Sequence, residues 1–345
     1  MAIGRVLQRQ GDRADVLLPD GEVRRVQCAA AVRVGDLVRV EGERARCVAR
    51  NRLRRPIEEQ EWWRLRRAVA ALRRRTEVLD AVRALFRAEG FLEVPTPRIT
   101  AEPCPEAHIE PVAAGGRWLV TSPELHLKRI LATGVERIYQ VGPVFRADES
   151  GPLHRLEFTM LEWYRVDGTV AHLMRDVERL VEAATGRPRR WEVFTVAEAL
   201  ERWSRPATDP EEVLRRLVED VEPRLAEREG VFLVEWPAPL AALARLDPER
   251  PEVAQRVEAY VEGIELANGF CELVDPGEQR ARFARERLSR ASSGRPPLPM
   301  PERFLAALEA GLPPCAGMAL GIDRLVMLAC GARHIDEVVP RLEPD

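Results

Sequence analysis

Lysine is almost missing from this chain: of 53 basic residues in 345, only Lys128 is a lysine. A GC-rich genome, which favours arginine codons, is the simplest source of that bias. No run approaches the ~20 apolar residues a membrane-spanning helix needs, and the first residues, MAIGRVLQRQGDR, lack the apolar core of a signal peptide. The six cysteines (28, 47, 104, 271, 315 and 330) form no C-x-x-C pair. That spacing argues against structural zinc, and scattered thiols without a secretory signal suggest the reducing cytoplasm. Residues 1–50 contain no Phe, Tyr or Trp, so this segment has no stacking platform for single-stranded nucleic acid.

Charge is present in quantity but unevenly placed. The formal net charge is −3. Residues 1–75 carry 19 arginines against 10 acidic residues, and the remainder is net −12. A basic arm on an acidic body suggests an anionic partner, nucleic acid or acidic protein, or else a solvated arginine-rich face. The length allows one large domain, or a large one with a small one.

Residues 3–48 alternate apolar and polar in short runs, with turns at Pro19-Asp20-Gly21 and Val34-Gly35-Asp36. This predicts a small OB- or SH3-like β-barrel over residues 1–50. Residues 51–60 read as a linker and 61–345 as one larger domain. Val69, Leu72, Val78, Leu79, Val82 and Phe86 predict a helix from about Trp62 to Glu89, closed by Gly90. Strands are expected at 118–120, 138–145, 158–165 and from Val231. Helices are expected at 169–184 and 210–229, and a proline-rich loop at 294–301. Strands and helices without regular alternation point to an α+β fold.

The most informative stretch is Val144–Arg165, VFRADESGPLHRLEFTMLEWYR. A guanidinium such as Arg146 grips phosphate through two parallel hydrogen bonds. Glu162 and Tyr164, two residues apart on a strand, point to one face and suit a cationic substrate. Glu258 and Glu265 are seven residues apart, a spacing that shares one face of a helix. The glycine in GIELANGF favours a strand–turn–strand reading instead.

These blocks resemble the motifs of class II aminoacyl-tRNA synthetases of the lysine type. FLEVPTPRIT, from Phe91, is similar to motif 1. Val144–Arg165 is similar to motif 2 and GMALGIDRLVML, from Gly317, to motif 3; TSPELHLKR, from Thr121, is similar to the substrate-recognition segment of lysyl enzymes. Four blocks in order are a strong signal where one would be weak. The absent anticodon-binding domain, the LEWYR ending and Ala319 in GMALGIDR resemble the elongation factor P–lysine ligases, paralogues of lysyl-tRNA synthetase. The expected fold is therefore a class II synthetase core, an antiparallel sheet flanked by helices, preceded by the small β module.

The resemblance implies ATP and Mg²⁺ as cofactors and lysine or (R)-β-lysine as the activated amino acid. It implies elongation factor P as the acidic protein acceptor and a homodimer through motif 1; nucleic acid is possible but not favoured. It implies Arg146 and Arg324 as catalytic residues. Arg146, Asp148, His154, Arg155, Phe158, Glu265, Leu266, Gly321 and Arg324 would bind ATP. Ser122, Glu124, Glu162, Tyr164, Asn268, Phe270, Glu272 and Ala319 would receive the amino acid, and Glu258 with Glu265 would hold the metal. Three carboxylates around one cavity are costly unless a cation enters, and a diamino acid supplies it. Ala147, Asp148 and Arg155 depart from the family's motif 2. The competing readings are a minimal lysyl-tRNA synthetase, a catalytically silent paralogue, and a nucleic-acid-binding protein built on the barrel.

Overall fold

The computed structural model describes residues 1–53 and 56–340, with only the backbone at residues 57, 61, 63, 64 and 66–68. Arg54 and Arg55 of the basic linker lie outside the described residues.

By internal contacts the chain divides into Met1–Val78 with the residues after Leu328, and Leu79–Leu328. The first unit begins with a closed five-stranded barrel: β1 (Ala2–Gln10), β2 (Arg13–Leu17), β3 (Val23–Cys28), β4 (Leu37–Glu41) and β5 (Arg44–Ala49). Its order is β1-β2-β3-β5-β4, with β4 closing on β1. This Greek-key order is the OB-like one of the two expected forms. The alternation read in the sequence faces Val6, Val16, Val26, Val38 and Val40 into its core. Gly4 lies so close to β2 that a Cβ there would sit 2.7 Å from the Leu17 carbonyl oxygen. Both predicted turns hold a glycine at positive φ, 87° at Gly21 and 83° at Gly35, where a side chain would be strained.

Helix α1 runs Glu61–Ala88, and Gly90 follows in the left-handed conformation (φ 78°). Val78, Val82 and Phe86 are buried as expected, whereas Val69 and Leu72 are exposed.

The second unit is built on an eight-stranded sheet, ordered β12-β13-β14-β15-β16-β11-β10-β6. The strands are β6 (Leu92–Glu93), β10 (Arg137–Phe145), β11 (Glu157–Val166), β12 (Trp191–Thr195), β13 (Gly230–Pro237), β14 (Val253–Val261), β15 (Ile264–Cys271) and β16 (Cys315–Gly321). A three-stranded sheet joins β7 (Ile99–Thr100), β8 (Ala113–Ala114) and β9 (Arg117–Leu119). Helix α3 (Val170–Thr185), capped by Thr169, contacts β14, β15 and β16. Helices α4 (Val196–Trp203), α5 (Pro210–Arg216) and α6 (Glu222–Leu225) contribute to an apolar cluster with β13. Helices α2 (Glu124–Leu131), α7 (Pro276–Ser292) and α8 (Glu302–Gly311) pack together around Tyr164 and Ile138. Helix α9 (Ile322–Cys330) follows β16 directly. The large antiparallel sheet flanked by helices is the expected architecture.

Candidate active site

The sheet register assembles the site. Gln140, Glu162, Ala319, Asn268 and Glu258 form one transverse row across β10, β11, β16, β15 and β14. Two residues along lie Ile138, Tyr164, Gly317, Phe270 and Arg256. Directly paired residues share a face, so motifs far apart in sequence project from one surface. The alternate residues serve the other face. There Trp163 donates to Asp176 at 2.9 Å, and Arg165 bridges Asp176 (2.8 Å) and Glu89 (2.9 Å).

A bulge places Glu265 on the site. Ala259 pairs with Ala267 and Tyr260 with Glu265, so Leu266 is the extra residue and is buried. The bulge resets the alternation, and Glu265 joins Glu258 and Asn268 on one face. The strand–turn–strand reading of GIELANGF holds.

At one end of this surface lie the two expected catalytic arginines. Arg146 Cζ stands 5.2 Å from the Phe158 ring centre, its Nη1 is 2.9 Å from Glu149, and its Nε reaches the Thr121 carbonyl at 3.4 Å. Arg324 donates to the Glu265 carbonyl (2.6 Å) and the Leu153 carbonyl (3.3 Å), and its Nη2 lies 2.5 Å from His154 Nε2. Burial and then the Arg324 charge hold His154 below its ordinary pKa, so the neutral ring accepts this hydrogen bond. Gly321 lies three residues before Arg324, whose Cδ would be 3.6 Å from an added Cβ. Asp148 is exposed and faces Arg295 at 3.5 Å. Arg155 is partly exposed.

Glu258 is buried, with Arg256 (2.6 Å), Tyr260 (2.8 Å) and Asn268 (3.1 Å) on its carboxylate. Burial first, and the Glu265 charge, push it up to about 7 against the pull of Arg256. The Glu265 side chain is 42% exposed and 3.6 Å from Arg324. Carboxylate oxygens suit a hard divalent cation: Glu265 is the accessible donor, while both oxygens of Glu258 beside it already accept hydrogen bonds. Among the described residues no group of three or more His, Cys, Asp or Glu could hold a metal by itself.

At the other end lies a carboxylate pocket. Ser122 Oγ donates to Glu162 Oε2 at 2.6 Å and accepts from the Glu124 amide at 3.0 Å. Tyr164 donates to Glu162 Oε1 at 2.6 Å. Glu162 is pushed up to about 8, by burial first and then by the Glu124 charge. Glu272 is 1% exposed, and its Oε1 has no hydrogen-bond partner among the described residues. Gly317 permits this packing, because an added Cβ would overlap the Tyr164 ring and stand 2.8 Å from Glu272 Oε1.

One expectation needs correcting. The cation between these carboxylates is not left wholly to a substrate: Lys128 supplies one. Its Nζ is 2.5 Å from Glu124 Oε1 and in ion-pair contact with Glu272 Oε2. Burial works against its charge, but Glu124 and Glu272 together outweigh burial and hold its pKa above the ordinary value. The signal for Lys128 was in the sequence, since Glu124 and Lys128 stand four apart on a helix, the spacing at which side chains meet.

The loop that carries Glu106 was also missed. Arg290, fully buried, donates to the carbonyls of Glu106 (2.9 Å) and Ile109 (3.0 Å) and to Glu110 (2.6 Å). The Ala147 amide, beside Arg146, donates to the Glu110 carbonyl at 2.8 Å. Glu106 is pushed up to about 7 by burial and then by the Glu124 charge, with Arg146 opposing.

The family described as tRNA synthetases class II (D, K and N) matches residues 58–341. The elongation factor P–(R)-β-lysine ligase of Proteus mirabilis (strain HI4320) is 37% identical over 313 residues, covering 80% of this chain and 96% of that protein. The proteins of that name from Vibrio vulnificus (strain YJ016) and Vibrio cholerae serotype O1 are each 38% identical, over 80% of this chain and 96% of theirs. The chain therefore belongs to the class II tRNA synthetase family and, within it, to the elongation factor P–(R)-β-lysine ligases.

Proposed function

We propose that this protein uses ATP to activate lysine or (R)-β-lysine as an aminoacyl-adenylate and transfers it to a lysine side chain of elongation factor P. The observation that carries the amino-acid assignment is the pocket. Glu162 and Glu272 are buried together, and Glu272 Oε1 is without a partner among the described residues. A side-chain ammonium satisfies both, and a buried unpaired carboxylate is otherwise costly. Phe270 and Tyr164 wall the pocket, Asn268 braces Glu258, and Ala319 stands between Glu162 and Asn268.

Activation joins two anions, so positive charge and alignment are the main requirements. The amino-acid carboxylate attacks the α-phosphorus of ATP, and pyrophosphate leaves. In this reading Arg146 draws the carboxylate and the α-phosphate together. Phe158 offers a face for adenine, with Asp148, His154, Arg155, Leu266 and Gly321 around the nucleotide. Arg324, fixed by three contacts, braces its far side. Glu265, with Glu258 beside it, would hold Mg²⁺, which offsets phosphate charge when bound. A homodimer through the motif 1 region and a cytoplasmic location belong to the same proposal. No helix among the described residues is long and apolar enough to cross a membrane.

The test is ATP–pyrophosphate exchange with a panel of diamino acids, with and without Mg²⁺, followed by mass spectrometry of elongation factor P. Exchange with lysine or β-lysine and a matching mass increase are expected. Label transferred to tRNA and not to the protein would favour a minimal lysyl-tRNA synthetase. No exchange with any diamino acid would favour a silent paralogue.

A further inference from the structure

Lys128 stands inside the pocket, yet the adenylation chemistry has no use for it. It lies on α2 one turn after Glu124, with its side chain 1% exposed. Its Nζ touches Glu124 and Glu272 Oε2 and lies 5.4 Å from the ring centre of Phe270, and 5.8 Å from those of Tyr164 and Phe304. Such a wall of rings favours a cation. The opposite side of the pocket differs. Glu162 is held there by neutral donors, Ser122 and Tyr164, and Glu272 Oε1 has no partner among the described residues. Three carboxylates thus share one fixed cation. Lys128 pairs with Glu124 and one oxygen of Glu272, and on the side of Glu162 no cation faces the carboxylates among the described residues.

We propose, building on the function proposed above, that Lys128 is a resident counter-ion and positioning residue. It holds the side chains of Glu124 and Glu272 in place by its two ion-pair contacts, and it leaves one open cation position, between Glu162 and Glu272 Oε1, for the substrate's side-chain ammonium. Selectivity for a diamino acid then comes from a charge count. With Lys128 present, one cation is already fixed among the three carboxylates, and a substrate ammonium adds a second on the open side. Without it, two cation positions stand open, and a small amine fills the second.

Lys128→Ala removes the atoms from Cγ to Nζ, which match n-propylammonium in size and charge. Melting temperature and the lysine KM in pyrophosphate exchange are measured for this variant, alone, with n-propylamine, and with n-propanol as the uncharged control. The variant is expected to melt lower and to raise the lysine KM by about tenfold or more, the scale of losing one partner of a buried charged pair. Propylamine should restore most of both, and propanol neither. A second variant, Lys128→Ala with Glu124→Gln, removes one negative charge along with the cation and should melt above the single variant. Should the single variant fail to fold, a folded double variant supports the proposal and an unfolded one overturns it. Wild-type behaviour in Lys128→Ala, or equal rescue by propanol and propylamine, or none by either, also overturns it. The melting arms need no turnover, so a wild-type protein that fails to activate lysine would count against the proposed function and leave this inference decidable.

Discussion

Tyr164 donates its hydroxyl to Glu162 Oε1 at 2.6 Å, between residues two apart on one strand. Burial pushes Glu162 from an ordinary 4.5 up to about 8, and pushes the Tyr164 phenol higher still, so the proton of this bond stays on the tyrosine.

The sign of the pH dependence follows. Glu162 is raised on folding, so its contribution to stability is complete below about 4.5 and is lost as pH rises through about 8. A substrate ammonium favours the carboxylate and opposes that rise. At pH 7, lysine binding is expected to release protons, and lysine affinity should increase with pH up to about 8. Calorimetry in two buffers of different ionisation enthalpy reads the release. Glu162→Gln should reduce it, leaving the share of Glu272, which burial also pushes up to about 8, and should weaken the preference for lysine over norleucine more than it weakens ATP binding. A buffer-independent enthalpy in the wild type would contradict the assignment.

Arg146 is 5.2 Å from Phe158 and paired with Glu149 at 2.9 Å, at the opposite end of the surface from the carboxylates. Arg146→Ala is expected to slow pyrophosphate exchange by ~10²–10³, as loss of one donor to a developing charge does, with little change in melting temperature. Full exchange activity would remove Arg146 from the mechanism.

Much of this site was legible because a strand has a period of two. Glu162 and Tyr164 could be placed on one face from spacing alone, and the glycine in GIELANGF marked the turn between Glu258 and Glu265. The bulge at Leu266 was not legible, since nothing in IELANGF distinguishes the residue that drops out of register. The clamp of Arg290 on the Glu106 carbonyl joins residues 184 apart, and no local pattern carries such a contact. Lys128 is a different case. Its helical spacing from Glu124 was visible, but codon bias explained the scarcity of lysine well enough to hide the placement of this one.

Gly317 tests the packing of the pocket independently of its charge. A methyl group there would overlap the Tyr164 ring and crowd Glu272, and overpacking a buried site costs typically 1–3 kcal/mol. Gly317→Ala is expected to lower the melting temperature and raise the lysine KM, while the ATP KM changes little. An unaltered lysine KM would show that the Tyr164 ring does not set the pocket wall.

The barrel presents a charge pattern that its own residues leave unbalanced. Arg39 on β4 pairs directly with Arg46 on β5, and like charges opposite one another are unfavourable. Among the described residues, ion pairs engage Arg24, Arg25 and Arg50 of this segment. Residues 1–50 hold 10 arginines against 7 acidic residues. An acidic protein surface would relieve the excess, and the lack of aromatic residues weakens the case for single-stranded nucleic acid. Deleting residues 1–50 is therefore expected to leave adenylate formation largely intact and to slow transfer to the protein acceptor. Such steering is screened over about 10 Å at ordinary ionic strength, so added salt should slow transfer by the full-length protein toward the rate of the truncated one. Both half-reactions and the melting temperature are compared across a salt series. A truncated protein that melts lower and loses both steps equally would assign the barrel to stability, and acceptor kinetics that do not respond to salt would remove the steering role.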